Sequence, residues 1–259
     1  MMQPTTSPAS FSVIPLKGLG IIKEGDDVGA SICATCREIN FALEEGDILV
    51  IAQTVVSRAE GAIIDLASIT PSRRARRLAS KLGKRPELVE VILRASKRVV
   101  RAEQGHLIVE TPHGFVCANA GVDSSNVHRR NHVTLLPEDP DYSAKQIRRK
   151  VKHDFGVDVA VIISDTHGRP FRNGAINVAI GTSGIAPLKI FVGQPDLFEY
   201  TLRSTSVAVA DELASAAELV MGEANEGIPV VVIRGYPFER AETSARALVR
   251  EEAKDIFRR

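Results

Sequence analysis

The sequence predicts an α+β protein with mixed sheets, and three observations carry that prediction. Short apolar runs with strand character are separated by helix-patterned stretches. Two of the runs, "HLIVE" and "FVCANA", flank the turn "TPHG" and read as a hairpin, which breaks any simple βαβαβ alternation. Neither G-x-G-x-x-G nor G-x-x-x-x-G-K-[ST] occurs, so neither a Rossmann nor a P-loop architecture is indicated.

The elements follow in order. "FSVIPL" opens the chain's strands, and "DILVIAQTVV" comes next after the turn "EEGD". The hairpin is followed by "VDVAVIIS", "INVAIG", "LKIFVG" and "IPVVVIRG". Helices fit residues 27–39, 72–82, 86–101, 143–155 and 207–221. The first has apolar residues at 28, 32, 36 and 39, the core stripe of a helix. That stripe also explains "CATC" (Cys33 and Cys36): with only Cys117 besides, a four-thiolate zinc site is impossible and a disulfide framework is not indicated. The helix at 143 has Ser143 as its cap, Ile147, Val151 and Phe155 four apart, and Gly156 as its stop.

At 259 residues the chain fits one large domain or two closely joined ones. Residues 1–10 read as a disordered leader, residues 11–259 as a single domain, and 128–142 as the place where a subdomain boundary would fall. No apolar run approaches a membrane span and the N-terminus lacks an apolar signal core, so a cytoplasmic protein is expected. Net charge is +1, but residues 73–101 hold eleven Lys or Arg against Glu87 and Glu90, a local balance of +9 that leaves the rest at −8. A nucleic-acid surface is one reading of such a stretch. Helix-spaced Leu78, Leu82, Leu88, Val89, Ile92 and Leu93 make two amphipathic helices with a solvated basic face sufficient, and nucleic acid is not expected as a partner. An anion-attracting rim is the alternative.

Four polar clusters stand at the ends of apolar segments. "NAGVDSSN" (119–126) follows "FVCA" and sets Asp123 and Asn126 among small residues; an Asx turn would look the same. "SDTHGRPFRNG" follows "VII" and brings Asp165, Thr166, Arg169 and Arg172; here the plain alternative is a turn-capping Asp165, with His167 as a turn residue. "MGEANEGIP" (221–229) carries Glu223 after an apolar helix, and a solvated helix C-cap is its plain account. "LKGLG" (16–20) and "QTVVSRAEG" (53–61) offer glycine, hydroxyl and cation near strand ends. Three carboxylates with a threonine hydroxyl form a hard-oxygen set suited to Mg²⁺ or Mn²⁺, and Lys17, Arg58, Arg169 and Arg172 could balance a triphosphate.

These residues bring a family into view. From "IPLKGLGIIKEGDD" through "EEGDILVIAQTVVSRAEG", "FVCANAGVDSSNV", "VAVIISDTHGRPFRNGAINVAIGTSG" and "VADELASAAELVMGEANEGIPVVVIRG", the chain resembles the coenzyme F420-0:L-glutamate ligases, whose acceptor is a deazaflavin. The resemblance implies a GTP-dependent, peptide-type ligase with its own mixed α/β fold, usually a homodimer. It places metal ligands on Asp123, Asp165, Thr166 and Glu223, for a pair of Mg²⁺ or Mn²⁺ ions with K⁺ as a further candidate. It places nucleotide contacts on Lys17, Gly18, Leu19 and Gly20, on Thr54, Arg58 and Asn126, and on Gly222, Ala224, Asn225, Glu226 and Gly227. Arg169 and Arg172 are left as candidate anion contacts. Two departures stand out: Arg58 occupies a position where the family typically has lysine, and "GEANEG" replaces a more glycine-rich loop.

The implied reaction converts the acceptor carboxylate to an acyl phosphate with the γ-phosphate of GTP, after which the α-amine of glutamate displaces phosphate. The rival enzyme reading is a metal-dependent phosphohydrolase or nucleotidyltransferase acting through the same carboxylates on another anionic substrate. The rival binding reading is a nucleotide sensor or a nucleic-acid module using the basic helices.

Overall fold

The computed structural model describes residues 10–125 and 131–256. The expected leader lies almost wholly outside them, as does Asn126. In chain order the elements are β1 (Ser12–Pro15), α1 (Val28–Glu38), β2 (Ile48–Ala52), α2 (Gln53–Ala59), β3 (Ile63–Asp65), α3 (Arg73–Leu82), α4 (Pro86–Arg94), β4 (Arg98–Glu103), β5 (His106–Glu110), β6 (Val116–Ala118), β7 (His132–Thr134), α5 (Pro140–Phe155), β8 (Ala160–Gly168), β9 (Ala175–Ser183), β10 (Lys189–Ile190), β11 (Ser206–Val207), α6 (Val209–Met221) and β12 (Val230–Arg234). The α+β expectation holds.

The centre is a five-stranded sheet in the order β1-β12-β2-β8-β9. Only β2 and β8 run parallel; the other pairings are antiparallel. Apolar runs without polar alternation predict strands buried on both faces, and that is what forms. Leu49, Ile51, Val161, Ile163, Val230 and Val232 face one core with α1 and α5. Their neighbours Ile48, Val50, Ala160, Ile162, Val231 and Ile233 face the other, under α6. Alternate residues of one strand thus serve two cores, as strand geometry requires.

Several boundaries differ from those read in the sequence. "DILVIAQTVV" is not one strand: β2 stops at Ala52 and α2 starts at Gln53. β-branched Thr54, Val55 and Val56 suggested a strand, but burial of Val55 and Val56 and the Ser57 Oγ to Gln53 Oε1 hydrogen bond (2.7 Å) favour a helical turn there. The helix placed at 143 begins at Pro140, with Asp139 as its cap accepting from the Tyr142 amide at 3.0 Å. Ser143 sits inside that helix, donating to Asp139 O and Glu60. Gly156 ends it with φ +72°, as expected. Ser206 and Val207 belong to a short ribbon with Lys189 and Ile190, so α6 starts at Val209 and "LKIFVG" is mostly loop. In α1, Val28, Ile32 and Cys36 are buried as predicted, whereas Ile39 lies just beyond the helix and is 44% exposed. Burial pushes Cys33 and Cys36 up to about 11, so both remain apolar thiols of the core.

A smaller lobe forms on residues 62–136. The β4-β5-β6 sheet packs under α3 and α4 around Ala75, Ala79, Leu82, Val89, Ile92, Leu107 and Val109. The predicted helix 86–101 ends at Arg94 instead, because Ser96 turns back onto Ile92 O and the Lys97 amide joins Glu110 O at 2.7 Å, which opens β4. Arg73, Arg74, Arg76 and Arg77 are exposed while Ala75 and Ala79 are buried, the solvated basic face expected of α3. Glu90 ties the two basic helices together. Its carboxylate accepts from the Ser72 amide (3.0 Å) and from Arg94 Nε (2.9 Å), and Ser72 in turn caps α3.

Two outcomes follow from this packing. A Cβ on Gly181 would lie 2.4 Å from the Pro140 carbonyl oxygen, where α5 starts against β9. Gly181→Ala must separate them, and a loss of about 1–3 kcal/mol in urea unfolding is expected. Hydrogen bonds from Ser72 and Arg94 hold Glu90 at about 2, well below its usual 4.5. A depressed carboxylate stabilises the fold above its unfolded value and loses that contribution as pH falls through its folded one. The stability difference between wild type and Glu90→Gln should therefore be full above pH 4.5 and vanish towards pH 2, measured by denaturation across that range.

Candidate active site

One end of the five-stranded sheet gathers the polar clusters. β2 and β8 are parallel, with Ala52 opposite Ser164, so both C-terminal ends point the same way. The antiparallel partners β9 and β12 begin at that same end, because Asn177 pairs with Thr166 and Val230 with Ile51. The Leu16 amide after β1 reaches Val230 O at 3.0 Å, which brings residues 17–22 there too. The result is a cleft of about 530 Å³. Strand C-terminal ends are where α/β proteins commonly bind ligands.

Asp165, Thr166 and His167 enter the cleft from β8. The β8–β9 ladder shifts register between Ile163 and Ser164, a bulge that turns the strand just before these residues. Thr166 Oγ1 lies 2.7 Å from Asn177 Oδ1 and 2.8 Å from Glu223 Oε1. A hydroxyl has one proton, so it serves one of those two acceptors at a time. Asp165 Oδ2 is 3.0 Å from His167 Nε2, two residues along the same strand face. The reading of His167 as a turn residue is therefore corrected: it is a strand residue that shares the cleft with Asp165.

Asp123 lines the cleft from the smaller lobe. Its carboxylate accepts from the Ser125 amide at 2.8 Å and from the Ser125 hydroxyl, so the Asx turn allowed by the sequence does form. Glu223 follows Gly222, the C-cap of α6, whose φ is +70° and whose Cβ would collide with the Glu226 side chain. Thr54 and Arg58, one turn apart on α2, line the same cleft. Burial lowers the pKa of the Arg58 guanidinium. Leu19, Gly20, Ala224, Glu226 and Gly227 also face the cleft. Lys17, Gly18, Asn225, Arg169 and Arg172 are not among its lining residues.

Among the described residues, no three His, Cys, Asp or Glu side chains form a group able to hold a metal ion. Asp123, Asp165 and Glu223 share the cleft, but each is engaged by its own neighbour: Ser125, His167 and Thr166. The donor chemistry nonetheless fits a hard divalent cation. All four positions offer oxygen, the Thr166–Asn177–Glu223 trio has more acceptors than protons, and Asn119 Oδ1, on a cleft-lining residue, is buried without a hydrogen-bond partner. Thiolate chemistry does not fit. Cys117 lines the cleft, yet burial, with the nearby Asp165 charge, pushes its thiol up to about 12.

Asn119, Asn177, Ser125 and Ser164 were not singled out in the sequence for the parts they take here. Asn177 had a usable signal. It is the lone amide in "INVAIG", and pairing of this run with "SDTHG" sets it opposite Thr166. Asn119 had none, since its buried acceptor depends on tertiary packing.

Sequence similarity places the chain among the ligases. The family described as F420-0:gamma-glutamyl ligase matches residues 18–235, and the chain belongs to it. Relatives named coenzyme F420:L-glutamate ligase share this similarity along their length. That of Methanothermobacter thermautotrophicus is 48% identical over 250 residues, 96% of this chain and 99% of its own. That of Methanopyrus kandleri is 50% identical over 241 residues, 92% and 93% of the two chains. That of Methanocaldococcus jannaschii is 47% identical over 240 residues, 93% and 94%. No helix among the described residues is long and apolar enough to cross a membrane.

None of residues 73–101 lines the cleft. Reversing Arg73, Arg74, Arg76 and Arg77 to glutamate should therefore leave the affinity for an anionic substrate unchanged at low and high salt. An anion-attracting rim would instead weaken binding at low salt and recover as screening shortens to roughly 3 Å near 1 M. Titration at both ionic strengths distinguishes them.

Proposed function

We propose that this chain is a GTP-dependent ligase that joins L-glutamate to coenzyme F420-0 through an acyl phosphate, forming γ-glutamyl amide bonds in F420 biosynthesis. The observation that carries the reading is the cleft at the sheet end, whose lining includes Asp123, Asp165, Thr166 and Glu223 together with Thr54 and Arg58. Relatives bearing the ligase name over more than nine-tenths of this chain support the same substrates.

A carboxylate does not react with an amine directly, because oxide is not a viable leaving group. In the proposed reaction an acceptor carboxylate oxygen attacks the γ-phosphorus, and GDP leaves. The glutamate ammonium first gives one proton to solvent; the free amine then attacks the acyl carbon, and as the nitrogen releases a second proton to solvent, inorganic phosphate departs with the C–O bond's electron pair. Positioning and charge neutralisation account for most of such catalysis. Asp123, Asp165, Thr166 and Glu223 would hold one or two Mg²⁺ or Mn²⁺ ions, and K⁺ is a further candidate. Bound there, such ions would neutralise phosphate charge. The positions of Leu19, Gly20, Thr54, Arg58, Gly222, Ala224, Glu226 and Gly227 suit the nucleotide, with Lys17, Gly18, Asn126 and Asn225 as neighbours in the same segments. Arg58 presents a planar fork where the family typically has the point charge of lysine, so base and phosphate preference should be measured on this chain directly. His167, held to Asp165, is placed to steady that carboxylate. The working form is proposed to be a cytoplasmic homodimer.

The test is phosphate release from GTP with F420-0 and glutamate supplied together or singly. Release that requires both supports the ligase. Release without glutamate would favour a phosphohydrolase, and retention of nucleic acid without turnover would favour a binding module. Asp165→Asn keeps the shape and removes the charge. Melting without metal should stay close to wild type, while GTP-dependent turnover should fall on the order of a hundredfold or more. An unfolded variant that recovers its specific activity on refolding would leave Asp165 with a structural role only.

A further inference from the structure

The turn between β8 and β9 holds an aromatic side chain out into solvent. Gly168 is the last residue of β8 to line the cleft, and it pairs with Ala175 at the end of the ladder. Residues 169–174 make the turn beyond, at the cleft's edge. Within it Phe171 is 91% exposed and has φ +63°. A left-handed backbone is an outlier for a bulky residue. A ring so exposed also gains little from hydrophobic burial. Both effects oppose the folded state, and outliers of this kind cluster at ligand clamps.

Two guanidinium groups flank the ring. Arg169 Nη2 donates to Asn173 O at 3.3 Å, which braces the turn from one side to the other. Its Nε is buried without a hydrogen-bond partner, a costly state that an anionic oxygen would relieve. Arg172 follows Phe171 directly and is exposed. The turn thus offers an aromatic face beside two cations, where β8 leaves the site.

We propose that this turn is the acceptor clamp. Phe171 stacks on the planar deazaflavin ring, while Arg169 and Arg172 hold anionic oxygens of the same molecule. The carboxylate to be activated then reaches past Gly168 towards Asp165 and Thr166. GTP is also a planar ring with an anionic tail, but its proposed positions on α2, residues 17–20 and residues 222–227 belong to other segments. The inference rests on the ligase reading, and the experiment separates the two.

The experiment is calorimetric titration of F420-0, and separately of GTP with Mg²⁺, into wild type, Phe171→Ala, Phe171→Gly and Phe171→Trp. Loss of the ring in the Ala and Gly variants should weaken F420-0 binding by about tenfold, the scale of one aromatic stack. Phe171→Trp should stay within about twofold of wild type, and GTP affinity should not move in any variant. Phe171→Gly should keep or raise the melting temperature, because glycine accepts this backbone freely. A wild type that does not bind F420-0 overturns the ligase reading and the clamp with it. A wild type that binds, with Phe171→Ala binding equally well, overturns the clamp alone. Weakening of GTP alone, or a lowered melting temperature in Phe171→Gly, also overturns it. So does a change in sedimentation with F420-0 affinity intact, which would assign the ring to contact between copies.

Discussion

The parallel pairing of β2 with β8 is the constraint on which the rest depends. Two parallel strands deliver both their C-terminal ends to one edge, and each antiparallel neighbour must start there. Cluster after cluster of polar residues follows or precedes an apolar run, so this one pairing converts separate stretches of sequence into one cleft. The strands themselves are rigid because alternate side chains lock into two different cores. The bulge at Ser164 marks the change from that packed interior to the cleft-lining oxygens of Asp165 and Thr166.

Local patterning made the sheet legible and left its order hidden. "VAVIIS", "DILVIA" and "IPVVVI" are continuous apolar runs, and each became a strand buried on both faces. Where propensity and packing disagreed, packing prevailed: Thr54, Val55 and Val56 look like strand and form the first turns of α2. Residues 98–101 looked like the tail of a helix, yet the Lys97–Glu110 backbone bond draws them into the β4–β5 ladder. Such bonds span distances in sequence that no local window sees. The same limit applies to the cleft: Asp123, Asp165 and Glu223 could be named from the chain, but that they line one cleft depends on the sheet order for Asp165 and Glu223 and on the smaller lobe for Asp123.

Charge is arranged differently at the two ends of the molecule. Away from the cleft, acids are matched to bases: Asp47 holds Arg234 at 2.7 Å, and Glu110 holds Lys97 and Arg98. Inside it, Asp123 and Glu223 take hydroxyl partners in Ser125 and Thr166, and Thr166 cannot satisfy Asn177 and Glu223 together. Pairing each acid with a fixed guanidinium would stabilise the fold and neutralise the surface a cationic group needs. The basic stretch 73–101 sits on the smaller lobe, with Arg94 engaged by Glu90, and adds no residue to the cleft lining.

Part of the backbone strain also lies beside the cleft. Asn119, Ala120 and Gly121 are three successive left-handed residues, and Asn119 and Gly121 line the cleft. A Cβ at Gly121 would meet the Leu136 side chain at 2.6 Å, so the chain is pressed against its own core there. A non-glycine residue adopts this conformation only where its surroundings over-determine it. Here the packing of Ala120, which is 2% exposed, holds the segment in place and leaves the Asn119 amide oxygen buried and unmatched. A strained turn and surplus acceptors thus lie beside the cleft. A positively charged group bound among those acceptors would relieve them, and binding energy would then come from a deficit that the fold itself maintains.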